Sequence, residues 1–280
     1  YNSAVLYESL GNKTKALKKY EEFLAVSKKY RDNLDVSFAM AQLYRQQNQN
    51  SYAIQKYQDY LQGANDRDKI IESYYWLTEL YKKQGRKSES EEWHKKTLLV
   101  QRRFSPNNQG VGAEYAAKLS LQDSFKTFSE FKAIRFPADP VKQKAAADKK
   151  LALLTQLNKE LSNVIKYNSA NEIISSLSLL GQANQNMAET IIATPLPTGL
   201  NAEQTVQYKE GVKKFAEPFT NKTIESFKAA VDRAWELQTY NEDYKLALSY
   251  LSQKDSKNYY NGEEAASDIR LVNWAGQKNE

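Results

Sequence analysis

The chain has 280 residues, of which 41% are hydrophobic and 26% charged, a balance that excludes a disordered polymer. It contains no cysteine and a single histidine, which excludes disulfides, thiolate catalysis and Cys-ligated zinc. The formal net charge is +6, and all of it sits in residues 1–104, where 19 Lys and Arg stand against 13 Asp and Glu; the remainder is balanced at 21 against 21.

With only 10 Gly and 6 Pro, the composition predicts helices and not a turn-rich sandwich or barrel. No uninterrupted apolar run has the length of a membrane span. Tyr1 falls in what reads as the middle of a helix with no basic, apolar leader before it, so the natural protein is expected to begin upstream.

From the first residue the chain is organised by a repeat. Tyr7, Tyr44 and Tyr81 are 37 residues apart, and so are Leu6, Leu43 and Leu80; Gly11, Asn48 and Gly85; Ala16, Ala53 and Ser90; and Leu24, Leu61 and Leu98. A period of this size means stacked supersecondary units. Gly and Asn tolerate positive φ, so the column of Gly11, Asn48 and Gly85 marks a helix end before a tight turn. The second helix of each unit carries one face: Ala16, Tyr20, Phe23 and Leu24; then Ala53, Tyr57, Tyr60 and Leu61; then Ser90, His94, Thr97 and Leu98.

This pattern resembles the tetratricopeptide repeat, carried by the aromatic Tyr7, Tyr44 and Tyr81, the turn residue four positions later and the small residue nine positions later. The resemblance implies an all-α fold, an α-α superhelix or solenoid of three hairpins over residues 1–104. The family period is about 34 residues, so extra loop residues are expected at Arg31-Asp32-Asn33 and Gly63-Ala64-Asn65-Asp66. It also implies a concave groove lined by Phe38, Gln42, Arg45 and Gln46 from the second unit and Tyr75, Glu79, Lys82 and Lys83 from the third. Tyr1 and Val5 open it. An aromatic floor with cations at the rim suits protein or peptide partners with acidic segments. A basic cluster of Arg86, Lys87, Lys95, Lys96, Arg102 and Arg103, with Lys82 and Lys83, follows as an anionic docking site or a solvated face.

Ser105 to Gly112, rich in Pro, Gly and Asn, reads as the main break, opening a divergent helical capping region over 105–252. A helix of about 20 residues follows, with Tyr115, Leu119, Leu121, Phe125, Phe128 and Phe131 on its face. Asp139 before Pro140 starts another, to about Tyr167, with Leu154, Leu157, Leu161, Val164 and Ile165 on one side. Ser169 and Glu172 are a candidate capping box for a helix bearing Ile173, Leu177, Leu180, Met187 and Ile191. Thr194 to Leu200 must be a corner. Two helices are expected next, Ala202 to about Ala216 and Pro218 to about Leu237, the second burying Phe219, Ile224, Phe227, Val231, Ala234 and Trp235. A short helix starts at Tyr240-Asn241-Glu242, and residues 253–280 read as an irregular tail.

The segment from Phe125 to Leu251 is similar to the C-terminal region of large repeat proteins from the envelope of gliding and predatory deltaproteobacteria. Gly181, the Pro195–Leu200 corner, Tyr208, the Ala216-Glu217-Pro218 step and Tyr240-Asn241-Glu242 carry that likeness. It implies a periplasmic or envelope-associated adaptor, with gliding motility as a context.

Searching for chemistry yields little. One His without Cys or a second His cannot form a usual zinc set, so no metal is expected. No phosphate-cradling glycine loop is present, and no cofactor is expected. Glu21-Glu22, Glu91-Glu92 and Glu263-Glu264 are adjacent in sequence, and neighbours on a helix diverge by about 100°, so they read as solvated charges. Nucleic-acid binding would require a more continuous basic stripe interleaved with aromatics. The expected function is therefore a non-catalytic scaffold, with a peptidoglycan or glycan binding module using exposed Tyr and Trp as the alternative, and a helical-repeat peptidoglycan-processing enzyme behind both.

Overall fold

The computed structural model describes residues 1–104 and 110–259, and among these it contains α-helices and no strand. The fold is all-α, with neighbouring helices packed on one another. Of the expected break at Ser105 to Gly112, residues 105–109 lie outside the described residues, as does most of the expected tail, and Val111 and Gly112 already belong to a helix. The chain divides into two compact units, Tyr1–Leu119 and the residues from Ser120 onward.

In the first unit, α1 (Asn2–Ser9) pairs with α2 (Lys13–Val26), α3 (Tyr30–Gln46) with α4 (Asn50–Leu61), and α5 (Arg67–Lys83) with α6 (Lys87–Phe104). Successive hairpins meet through α2 with α3 and α4 with α5. The turn column behaves as its residue types require: Gly11, Asn48 and Gly85 have φ of 72°, 58° and 75°. Each turn repeats one hydrogen bond in register, with the amides of Asn12, Gln49 and Arg86 donating to the carbonyls of Tyr7, Tyr44 and Tyr81. That six-to-one closure satisfies a carbonyl the helix end would leave orphaned.

The register also governs contacts between hairpins. Tyr44 donates to Glu21 at 3.0 Å, and Gln58 donates to the Tyr81 hydroxyl at 3.1 Å, the same step one period later. Ala16, Ala53 and Ser90 are all buried at the hairpin contacts, and Ser90 answers its burial by donating to the Thr78 carbonyl. Tyr20 and Tyr57 are fully buried, whereas Phe23, Leu24, Leu61 and His94 are only half-buried, and Thr97 is buried with its hydroxyl turned back onto the Trp93 carbonyl.

Arg31-Asp32-Asn33 is not a loop. It forms the first turn of α3, where Asp32 suits the helix N-terminus, and the connection is Ser27–Lys29. Gly63–Asp66 is a loop, and Asp66 caps α5 by accepting from the amides of Asp68 and Lys69. The first compact unit runs past residue 104, because the start of α7 (Val111–Ala133) packs on α5: Gly112 donates to Asp68 at 3.1 Å, and the Tyr115 ring lies 4.8 Å from that of Tyr75.

In the second unit, α8 (Pro140–Ile165), α10 (Ala202–Glu236) and α11 (Glu242–Lys254) each pack against α9 (Ala170–Ile192). With neighbours on several sides, α9 is buried nearly all round, and it supplies small residues there: Ser175, Ser176, Ser178, Gly181 and Ala183. Gly181 lies directly under Phe227 of α10, so a Cβ there would stand 2.7 Å from two ring carbons.

Four expectations in this unit are corrected. Pro218 does not break the chain into two helices; it sits inside α10 at an exposed position, and packing against α9 holds the helix together. Ser169 makes no capping box, because its hydroxyl donates to the Glu172 carboxylate instead of accepting from the backbone. Trp235 is 61% exposed and lies outside the buried stripe, and Phe125 is exposed on α7. The stripe of α8 holds as expected from Leu154 to Val164, but it extends one step earlier, to a lysine. Lys150 is fully buried, and its ammonium donates to the Phe131 and Ile134 carbonyls and to Asn186 Oδ1 at 3.2, 3.0 and 2.8 Å. It thereby caps the C-terminal end of α7, where a cation is electrostatically favoured.

Candidate functional site

The repeat brings α3 and α5 side by side, and their C-terminal halves enclose an open cavity of about 480 Å³ in the first unit. Four of the residues expected at the groove, Arg45, Glu79, Lys82 and Lys83, line this cavity together with Trp76, Leu80, Asn48 and Asn50, which the sequence did not single out. Trp76, Glu79 and Lys83 share one helical stripe at i, i+3 and i+7, so the signal was present.

At the centre of the cavity the Arg45 guanidinium lies 3.6 Å from the centroid of the Trp76 ring, a cation–π stack. The ring is oriented from behind. Glu72 accepts from Trp76 Nε1 at 3.2 Å and from Gln42 Nε2 at 3.1 Å, so Gln42 belongs to the support of the site and not to its lining. Arg45 Nε is buried with no hydrogen-bond partner, and the guanidinium is bordered by the Trp76 ring face and by the Tyr57 hydroxyl. Lys83 is braced by Asn48, to which it donates at 2.8 Å, while Lys82 is exposed at the mouth. Three cations against Glu79 give the lining an excess of two positive charges.

The expected aromatic floor is placed differently. Phe38 is buried against the rings of Tyr57 and Tyr60, at 6.0 and 5.0 Å, and Tyr75 is buried against Trp76 and Tyr115. Both are core residues because their positions point toward the neighbouring helix, and Trp76, one residue on, takes the surface role. Burial raises the phenol pKa of Tyr57 far above its usual value, against the pull of the adjacent Arg45, and burial followed by the nearby Glu72 pushes Tyr115 up to about 12. Both rings are therefore neutral at any physiological pH. Gln46, Tyr1 and Val5 are exposed and do not line the cavity.

The basic cluster on α6 is partly neutralised in place. Arg86 pairs with Glu89 at 2.7 Å and lies over the Tyr81 ring, and Lys96 pairs with Glu92 at 2.6 Å and lies over Trp93. Lys87, Lys95, Arg102 and Arg103 are exposed along the same helix. Among the described residues no three His, Cys, Asp or Glu side chains converge as a metal site, and no helix is long and apolar enough to cross a membrane.

No family model matches the chain, and no curated protein matches it.

Proposed function

We propose that this chain is a non-catalytic scaffold whose tetratricopeptide-like hairpins hold acidic protein segments in a bacterial envelope complex, with gliding motility as one setting. The observation that carries the reading is the Arg45–Trp76 stack, set in a cavity of net positive charge with Lys82 and Lys83 at its edge. A ring held by Glu72 offers area at low entropic cost, and the cations meet carboxylates.

The test is fluorescence anisotropy with a labelled decapeptide of alternating Glu and Leu, against its Lys and Leu counterpart. The acidic peptide is expected to bind with an affinity that falls as salt rises, and an Arg45→Ala, Lys82→Glu double variant is expected to lose about tenfold or more. Equal binding of the two peptides, or an unchanged double variant with wild-type circular dichroism, overturns the reading. Cell fractionation with an antibody to the chain tests the envelope placement, and recovery only with cytosolic markers removes it.

A glycan-binding reading has one observation in its favour. Trp235 is 61% exposed and stands edge-on to Tyr240 at 5.3 Å, which in turn meets Tyr244 at 5.2 Å. Exposed rings beside polar side chains can stack on sugar faces. Co-sedimentation with purified sacculi that is lost in Trp235→Ala supports it, and no sedimentation of the wild type ends it.

A further inference from the structure

The second unit contains a different kind of cavity. It opens between the N-terminal part of α8, the C-terminal end of α9 and the first half of α10, with a volume of about 430 Å³. Phe136, Ala147, Ile191, Tyr208, Val212 and Phe215 supply most of its wall. That size and apolar lining, with a few polar groups, is the pattern of a small-molecule site. Phe215, at 68% exposure, stands at its mouth.

Two features distinguish the cleft from a gap in packing. The first is Gly211, which lines it from within α10. Glycine is among the poorest residues for a helix interior, and close approach of another group is one physical reason for a helix to carry it. Gly181 follows that rule, with Phe227 against it, but a Cβ built on Gly211 meets nothing within 4 Å. What Gly211 preserves is the open space of the cleft itself.

The second is the arrangement of charge. Along the exposed half of α10 the carboxylates Glu203, Glu210 and Glu217 recur every seven residues, on the side opposite Tyr208, Val212 and Phe215. Lys209 and Lys214 flank the cleft face, roughly 100° to either side of it, and Lys144 lines the cleft directly. At the start of α8 and along it the flanking carboxylates are Asp139 and Asp148, so three cations stand against two anions around the cleft, and Lys144 is the one charged side chain in its lining.

We propose that this cleft binds a single-chain anionic amphiphile, a long-chain fatty acid: the alkyl chain occupies the space over Gly211, and the carboxylate meets Lys144 with Tyr208 and Thr194 beside it. The combination of an open apolar cleft with one cation, Lys144, in its lining matches that ligand's division into tail and head.

Isothermal titration of the whole chain with sodium dodecanoate, below the concentration at which it forms micelles, tests the proposal. One saturable site is expected. Gly211→Leu fills the cleft with a better helix former, so it is expected to fold as the wild type does by circular dichroism and to weaken binding about tenfold or more, by occupying the volume the alkyl chain needs. Lys144→Glu is expected to weaken dodecanoate while leaving the neutral dodecanol unchanged. Binding that is unsaturable, or equal in Gly211→Leu, overturns the site. Binding only to phosphatidylglycerol vesicles, or only to the acidic peptide described above, overturns the ligand assignment.

Discussion

Two glycines in the second unit carry opposite expectations for the same substitution. Replacing a helical glycine by alanine removes backbone freedom from the unfolded chain and favours the helix by about 1 kcal/mol. At Gly211 nothing opposes this, since the added Cβ has open space around it, and Gly211→Ala is expected to stabilise the protein by about 0.5–1 kcal/mol. At Gly181 the added carbon would stand 2.7 Å from Cδ1 and Cε1 of Phe227 and 3.0 Å from its Cζ. The ring has little room to move, because Phe227 is fully buried and the Tyr250 ring packs against it at 4.8 Å. Overpacking of this kind costs about 1–3 kcal/mol, so after the helix gain Gly181→Ala is expected to be destabilising by up to about 2 kcal/mol. Urea unfolding followed by circular dichroism reads both variants, with thermal midpoints moving roughly 2–4 °C per kcal/mol for a chain of this size. The double variant Gly181→Ala, Phe227→Leu recovers part of the loss if the clash is the cause. The reasoning fails if Gly181→Ala is as stable as Gly211→Ala.

Lys150 makes a pH-dependent contribution. Burial first, and Arg135 second, lower its pKa from the ordinary lysine value of 10.5 to about 8. Between these two values the unfolded chain holds the proton that the folded chain has released, so stability rises with pH across that window, with a slope of at most about 1.4 kcal/mol per unit. Denaturant midpoints from pH 7.5 to 10.5 should show this rise in the wild type and lack it in Lys150→Met, which also loses stability overall, because the Ile134 carbonyl and Asn186 Oδ1 lose the ammonium donor while the Phe131 carbonyl keeps only the Ile134 amide. Asn201 forms a complete capping box with Gln204, each side chain bonded to the other's backbone amide at 2.8 and 3.0 Å. Asn201→Ala is expected to cost about 1 kcal/mol and to speed amide exchange in the first turns of α10 specifically.

Much of the first unit was legible in the sequence because its information is local and repeated. A 37-residue step that keeps Gly or Asn at the turn and Ala or Ser at the closest approach specifies helices, turns and hairpin partners through short-range sterics alone. The positive φ at Gly11, Asn48 and Gly85 and the burial of Ala16, Ala53 and Ser90 follow from that. Arg45, Glu79, Lys82 and Lys83 were likewise legible as neighbours, since one period places α3 and α5 alongside one another.

The choice between Tyr75 and Trp76 was not legible. Adjacent aromatics are equivalent in a pattern, and only the packing of Tyr115 against Tyr75 decides which ring is covered and which lines the cavity. The second unit shows the same limit more strongly. By itself the sequence determined the helix starts at Asp139-Pro140 and Tyr240-Asn241-Glu242 and the Pro195–Gly199 corner, because capping and proline geometry act within a few residues. Tertiary structure decided that Pro218 stays within one helix, that a lysine completes a leucine stripe, and that Gly181 closes a contact while Gly211 leaves a cleft open. Each of those outcomes depends on which atoms a distant segment brings within a few ångströms, and that distance is set by packing, not by any periodicity along the chain.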